Sequence, residues 1–236
     1  MKQIDVCLTP DLLDLHRMEN TIVVVADVFR ATSCMVTAFA YGVRSIVPVA
    51  TIEECQRYQE RGFLAAAERN ARKVEGFELD NSPFTYMDER IRGLDVAMTT
   101  TNGTLAITKS RSAVKVLVGS FLNLEAIASY LRTEPYDVLV LCAGWKGRVN
   151  LEDTLFAGAL VERLKTSYAL AEDSAIMAGR LYEQGKDNLI GYMANASHIR
   201  RLQKLGIQKD ITYCLQHDLY DVIPVLRGTS LVAMEP

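Results

Sequence analysis

The segment Ile22-Val23-Val24-Val25-Ala26-Asp27-Val28-Phe29-Arg30-Ala31-Thr32-Ser33 decides the fold. A run of β-branched residues reads as a strand buried on both faces, the kind found in parallel sheets. The small residues Ala31, Thr32 and Ser33 then open a helix. In open α/β sheets, ligands gather outside the carboxyl ends of the strands. Asp27 and Arg30 therefore stand at the mouth of a site, an acid suited to a metal ion beside a base suited to an anion. Read structurally, the same pair is a helix cap and its ion-pair partner.

Outward from this segment, strands and helices alternate. Strands are expected over Ile4 to Leu8, Thr21 to Ala26, Ser45 to Val49, Phe63 to Ala67, Val96 to Thr99, Val114 to Val118 and Val138 to Leu141. Helices are expected over Ser33 to Tyr41, Ile52 to Arg61, Thr104 to Ser110, Asp153 to Lys165, Ser174 to Gln184 and Ala196 to Lys204, with Thr51 capping the second. The tail, Val222 to Val225 and Leu231 to Ala233, reads as extended. The alternation predicts a three-layer α/β sandwich, a mostly parallel but mixed sheet with helices on both faces. No linker or repeat divides the chain, so one domain over residues 1–236 is expected. The longest irregular stretch, residues 69–92, holds Lys73, Glu75 and Asn81, and loops of that length are usually functional.

Composition narrows the function. The 236 residues are 49% hydrophobic, enough for a large core, and carry a net charge of −3. No basic excess supports nucleic-acid binding, and the single Trp offers little stacking surface. No apolar run approaches the roughly 20 residues of a membrane span, and the first residues lack the features of a signal peptide. Cys7, Cys34, Cys55, Cys142 and Cys214 are scattered without a CxxC pair, which speaks against a disulfide framework or a cysteine-zinc site. A reduced, cytoplasmic protein is expected, with a homo-oligomer left open.

The chemistry-bearing residues are mostly hard oxygen donors. Asp27, Glu68, Glu75, Glu152 and Asp153 lie just after strands or in nearby loops, and carboxylates of this kind suit magnesium. Glu152 and Asp153 would also offset a helix dipole in a first turn. Thr99-Thr100-Thr101-Asn102-Gly103-Thr104 lies between a strand and a helix, where amides, hydroxyls and a glycine make an anion cradle. Its Asn-Gly pair is equally a turn device. No Gly-Lys-[Ser/Thr] element is present, so a nucleoside triphosphate is not indicated. Phe29 occupies the place where a haloacid-dehalogenase-type phosphatase carries its second acid. Cys142-Ala143-Gly144-Trp145-Lys146-Gly147-Arg148 has the spacing of a cysteine phosphatase, whose thiolate attacks phosphorus. Leu141 and Val149 replace the His and hydroxyl residue that usually flank that loop. His198 would serve a leaving group or a structural hydrogen bond, and Arg200-Arg201 reads as a solvated helix face.

Several ordered motifs carry a resemblance: Ala67-Glu68-Arg69, Lys73-Val74-Glu75-Gly76-Phe77, Asn81-Ser82-Pro83, Thr99 to Thr104, Cys142-Ala143-Gly144, Leu151-Glu152-Asp153-Thr154, Ser197-His198 and Asp221-Val222-Ile223-Pro224. Together they resemble the 2-phosphosulfolactate phosphatases over essentially the whole chain. Ala67, Asp80 and Ile199 stand where that family usually has glycine. The resemblance implies a magnesium-dependent hydrolase that converts 2-phospho-3-sulfolactate to sulfolactate, a step that in some organisms leads to coenzyme M. In that reading Asp27, Glu68, Glu152 and Asp153 hold Mg2+, and Asp27, Arg30 and Asn102 act on the phosphoryl group. Lys73, Asn81, Thr100, Gly103 and Arg148 then bind the small anionic substrate. The rivals are a cysteine-dependent phosphatase built on Cys142 and Arg148, and a non-catalytic binder of a phosphorylated or sulfonated metabolite.

Overall fold

The computed structural model describes residues 1–69 and 72–235. The strands are β1 (Gln3–Cys7), β2 (Thr21–Ala26), β3 (Ser45–Pro48), β4 (Leu64–Arg69), β5 (Arg72–Lys73), β6 (Asp95–Thr99), β7 (Lys115–Gly119), β8 (Asp137–Cys142), β9 (Ala169–Leu170), β10 (Pro224–Arg227) and β11 (Ser230–Ala233). The helices are α1 (Ala31–Ala40), α2 (Ile52–Gln59), α3 (Gly103–Lys109), α4 (Leu124–Thr133), α5 (Leu151–Leu164), α6 (Asp173–Gly185), α7 (Leu189–Tyr192), α8 (Ser197–Lys204) and α9 (Gln208–Cys214).

All six residues of β2 are buried. The strand has parallel neighbours on both sides, with Val24 opposite Leu117 of β7 and Val140 of β8. Its side chains meet protein on each face, which is why the run is apolar without alternation. Helices α4, α5 and α6 pack together, α5 lying on β8, β1 and β2, while α1 and α3 pack against β7, β10, β2 and β3. This is the layered α/β sandwich that the sequence implies.

The strand order is β5-β4-β6-β3-β11-β10-β7-β2-β8-β1-β9. One parallel group contains β4, β6 and β3, and the other β7, β2, β8, β1 and β9. The antiparallel hairpin β10–β11 joins them, β10 against β7 and β11 against β3. The tail was expected only to be extended; its place in the middle of the sheet comes from pairings distant in sequence. The principal core runs through both groups, from Val23 and Val140 to Ile46 and Met98. A smaller cluster under α2 contains Val47, Cys55, Ala65, Phe77 and Ala97.

Five inter-strand steps separate β6 from β2, about 24 Å in a flat sheet. Yet a Cβ on Gly103, just after β6, would lie 2.9 Å from Asp27 Oδ2, just after β2. The sheet therefore curls so that the carboxyl ends of the two groups face one another.

Helices α4 and α9 lie outside the expected elements, although Leu124, Ile127, Ala128 and Leu131 of α4 are buried at helical spacing. Within the supposed long loop, Tyr86 is fully buried. Asp80 there accepts hydrogen bonds from the Ser82 amide at 2.8 Å and the Thr85 hydroxyl at 3.2 Å. Asp80 thus organises a short helical turn at Pro83–Tyr86 instead of facing a ligand. Among the described residues, no helix is long and apolar enough to cross a membrane.

Candidate active site

The loop after β2 is shaped by its own hydroxyls. The Asp27 amide donates to Thr32 Oγ1 at 3.0 Å, and Ser33 Oγ donates to the Val28 carbonyl at 2.9 Å. These short-range bonds turn the chain sharply and begin α1 with Asp27 and Arg30 beside a cavity of about 370 Å³. The peptide between Phe29 and Arg30 is cis. Asp27, Arg30, Glu68, Asn81, Thr100 and Asn102, six residues the sequence singled out, line this cavity, with His198.

The acids form the electrostatic centre. Burial pushes the Asp27 carboxyl up to about 7; His198 opposes that rise, while the charges of Glu152 and Glu68 reinforce it. The Gly103 amide hydrogen-bonds to Asp27 and also favours the ionised form. Glu152 is fully buried; its Oε1 lies 2.5 Å from His198 Nδ1, and its Oε2 has no hydrogen-bond partner. A buried carboxylate oxygen without a donor is costly and calls for a cation or a proton.

Among the described residues, no three His, Cys, Asp or Glu side chains converge as a preformed metal centre. The donor set still fits magnesium, which takes one or two carboxylates directly and keeps several waters. Asp27 and Glu152 repel one another, and Glu152 Oε2 is open. A bound divalent cation would relieve both.

Asp153 has a different place from the one expected. Its two oxygens accept the Val28 amide at 2.9 Å and the Gly144 amide at 3.0 Å. Burial, followed by the charges of Glu152 and Asp27, pushes its carboxyl well up despite those two bonds. With both oxygens engaged, Asp153 ties the β2–α1 loop to the β8–α5 loop. It supports the site from behind.

The Thr99–Thr104 segment is only partly the anion cradle expected. Thr100 and Thr104 exchange hydrogen bonds, Thr104 N donating to Thr100 Oγ1 at 3.2 Å and Thr104 Oγ1 to the Thr100 carbonyl at 3.1 Å. The Gly103 amide serves Asp27, so Gly103 shapes the acid and does not line the cavity. Asn102 Oδ1 accepts the Lys146 amide at 3.1 Å, which pins the β8–α5 loop to this segment. Asn81 is buried at the cavity wall with its Oδ1 unpartnered.

Two expected substrate ligands are not brought in. Lys73 is exposed and donates to the Glu78 carbonyl at 2.8 Å, outside the cavity. Arg148 is exposed and likewise absent from the lining. The reason is a two-residue turn: Trp145 and Arg148 exchange backbone hydrogen bonds of 2.8 and 3.0 Å, with φ of 51° at Lys146 and 75° at Gly147. Both central residues being left-handed makes this a type I′ turn, which places Lys146 and Trp145 on the cavity. It is not a phosphate loop. Cys142 is fully buried, and burial together with the nearby Asp153 charge pushes its thiol well above the ordinary range. A thiol so disfavoured as thiolate is a poor nucleophile.

Other parts of the site were missed from sequence. Asp210 on α9 forms a buried ion pair with the Arg30 guanidinium and fixes its place. Trp145, Lys146, Arg201 and Lys204 complete the rim. Asp210 is one acid on a short helix of unremarkable pattern, and only the packing of α9 near α1 reveals its partner.

The family model described as 2-phosphosulpholactate phosphatase matches residues 7–229. A protein of Thermotoga maritima named "Probable 2-phosphosulfolactate phosphatase" is 42% identical, covering 98% of this chain and 99% of the relative. Proteins carrying the same name from Thermotoga petrophila and Caldanaerobacter subterraneus are 41% and 40% identical. The former match covers 98% of this chain and 99% of the relative, the latter 87% and 88%. A curled α/β sheet with its acids at one carboxyl edge, matched along nearly its whole length, places this chain in the 2-phosphosulfolactate phosphatase family.

Proposed function

We propose that the protein is a magnesium-dependent phosphatase that hydrolyses 2-phospho-3-sulfolactate to sulfolactate and phosphate. The observation that carries this reading is that Asp27 and Glu68 line a cavity together with the cations Lys146, Arg201 and Lys204, while the charge of the fully buried Glu152 behind His198 is felt at Asp27. A non-catalytic anion binder has no use for an acid repelled by two others at its centre. The names of the relatives supply the substrate. Five free, buried thiols support a reducing, cytoplasmic setting.

Asp27 and Glu152, with Glu68 at the edge, would hold the metal, which neutralises phosphoryl charge and polarises the ester when bound. Arg30, held by Asp210, offers a fixed guanidinium to the phosphoryl oxygens. Asn102, its Oδ1 already taken by Lys146, offers its amide NH2 to the same group. His198, with Nδ1 on Glu152, would give a proton from Nε2 to the departing alkoxide oxygen. The remaining catalysis is charge placed in advance of the transition state.

The test is phosphate release from a panel of phosphorylated hydroxy acids. Turnover of 2-phosphosulfolactate should cease in EDTA, return with magnesium and survive thiol alkylation. Full activity in EDTA together with loss on alkylation would overturn the reading in favour of Cys142.

A further inference from the structure

Three cations line the cavity without a direct ion pair among the described residues, and Arg201 feels the charges of Glu68, Glu152 and Asp27 without touching them. Among the described residues, the side chains of Lys146, Arg201 and Lys204 make no hydrogen bond and no ion pair, in contrast to Arg30, which is paired with Asp210. Arg201 lies over the Trp145 ring with its guanidinium carbon 4.1 Å from the centroid, and Lys146 Nζ lies 5.0 Å from the same ring. Two like charges drawn to one indole repel each other, and neither has a direct ion pair to offset that repulsion. The ring contact engages the guanidinium carbon of Arg201, and its N–H groups, which make no hydrogen bond among the described residues, remain available to a bidentate oxyanion.

The surroundings sharpen the point. Arg201 is half-buried, so its charge has lost part of its water. That burial draws its pKa below the ordinary arginine value, against the pull of Glu68, Glu152 and Asp27. Lys204 lies three residues further along α8 and lines the same cavity. The Lys146 amide is bonded to Asn102, so the Trp145 turn on which Arg201 rests is tied to the phosphoryl end.

We infer that Arg201, stacked on Trp145 and flanked by Lys146 and Lys204, is the specificity-determining residue for a second anion on the substrate, a sulfonate or carboxylate a few bonds from the phosphate ester. The inference rests on the phosphatase reading and adds what that reading leaves open. It gives the grip on the non-phosphoryl anion to α8 and the Trp145 turn, and withdraws it from Lys73 and Arg148. The site thus has two poles, with acids and Arg30 for the group that leaves as phosphate and a basic, aromatic rim for the group that stays.

The test compares wild type with Arg201→Met, which keeps an apolar stem on Trp145, and Arg201→Lys, which restores charge without the planar fork. Three esters are measured: 2-phosphosulfolactate, 2-phospholactate, which lacks the sulfonate, and p-nitrophenyl phosphate, which lacks both extra anions. Arg201→Met should raise KM for 2-phosphosulfolactate by roughly tenfold or more with kcat little changed, because binding shared by ground and transition states moves KM. Arg201→Lys should recover part of the loss, and p-nitrophenyl phosphate should be spared. A parallel loss on 2-phospholactate identifies the carboxylate as the anion held; no loss there identifies the sulfonate. Equal losses on all three esters, or none on any, would overturn the assignment. Calorimetric binding of sulfolactate reads the same subsite without turnover and should weaken roughly tenfold in Arg201→Met. Unchanged binding would sink the subsite. Weakened binding in an enzyme that does not turn over 2-phosphosulfolactate would count against the phosphatase reading alone.

Discussion

His198 Nδ1 lies 2.5 Å from Glu152 Oε1, one ring nitrogen committed to a fully buried carboxylate while the imidazole borders the cavity. A carboxylate on one nitrogen fixes the ring and its tautomer, leaving the other nitrogen to exchange a proton with substrate. Such a proton matters most when the leaving oxygen is a poor one.

His198→Asn should therefore lower kcat for 2-phosphosulfolactate by about 10²-fold or more, the range for loss of a general acid. Turnover of p-nitrophenyl phosphate, whose phenolate leaves unaided, should fall far less. Equal losses on both esters in steady-state kinetics would make His198 a scaffold for Glu152 only.

Gly103→Ala should damage the acid centre although Gly103 does not itself line the cavity. The added Cβ would stand 2.8 Å from Ala31 Cβ and 2.9 Å from Asp27 Oδ2, both on short, tethered side chains. Overpacking of this kind costs about 1–3 kcal/mol. Lower thermal stability together with reduced kcat is expected, and a variant with normal values of both would show that the two loops separate freely.

Asp153→Ala should weaken the fold more than any loss of metal binding explains. It strands the buried amides of Val28 and Gly144, each unmade bond costing about 1–3 kcal/mol. Denaturant unfolding in EDTA measures this apart from metal. A variant as stable as wild type under those conditions would return Asp153 to the list of metal ligands.

Alkaline stability should depend on His16. Its Nδ1 lies 3.0 Å from Asp5 Oδ2, and that hydrogen bond is the main reason its pKa is pushed up to about 10. The folded value exceeds the unfolded one, so the pair's contribution is complete below the ordinary histidine value near 6.5 and disappears as pH rises through the folded value. Asp5 moves the other way: burial raises its pKa, but the bonds from His16 and Ser174 outweigh that and lower it, so acid also removes the contribution. His16→Gln should be less stable than wild type near pH 6, by an amount of order 1 kcal/mol, with the gap closing toward pH 10. A gap independent of pH would mean that His16 contributes packing alone.

The local elements were legible because their signals are local. The β2 run, the glycine after α1 and the long helical run of α5 each reflect neighbours within a few residues. Asp27, Arg30 and Asn102 were legible as site residues because strand ends in parallel sheets converge. The other half of the site was not. Whether Lys146 or Arg148 faces the cavity depends on the hand of a two-residue turn, and Arg201 looks like a solvated residue until Trp145 is placed beneath it. Lys73 was misplaced because its edge hairpin gave it a nearer acceptor in Glu78.

The hairpin β10–β11 lies later in the chain than every residue of the site. On a ribosome both parallel groups are therefore made before the piece that unites them, and until then β3 and β7 carry open, hydrogen-bond-hungry edges. Asp27 and Gly103 are synthesised early but cannot be held face to face until residues 224–233 emerge. The acid centre is thus assembled only after residues 224–233 have been made. A ribosome stalled shortly before Pro224 would carry a nascent chain whose two parallel groups are unjoined, with the strand edges of β3 and β7 that the hairpin covers still open.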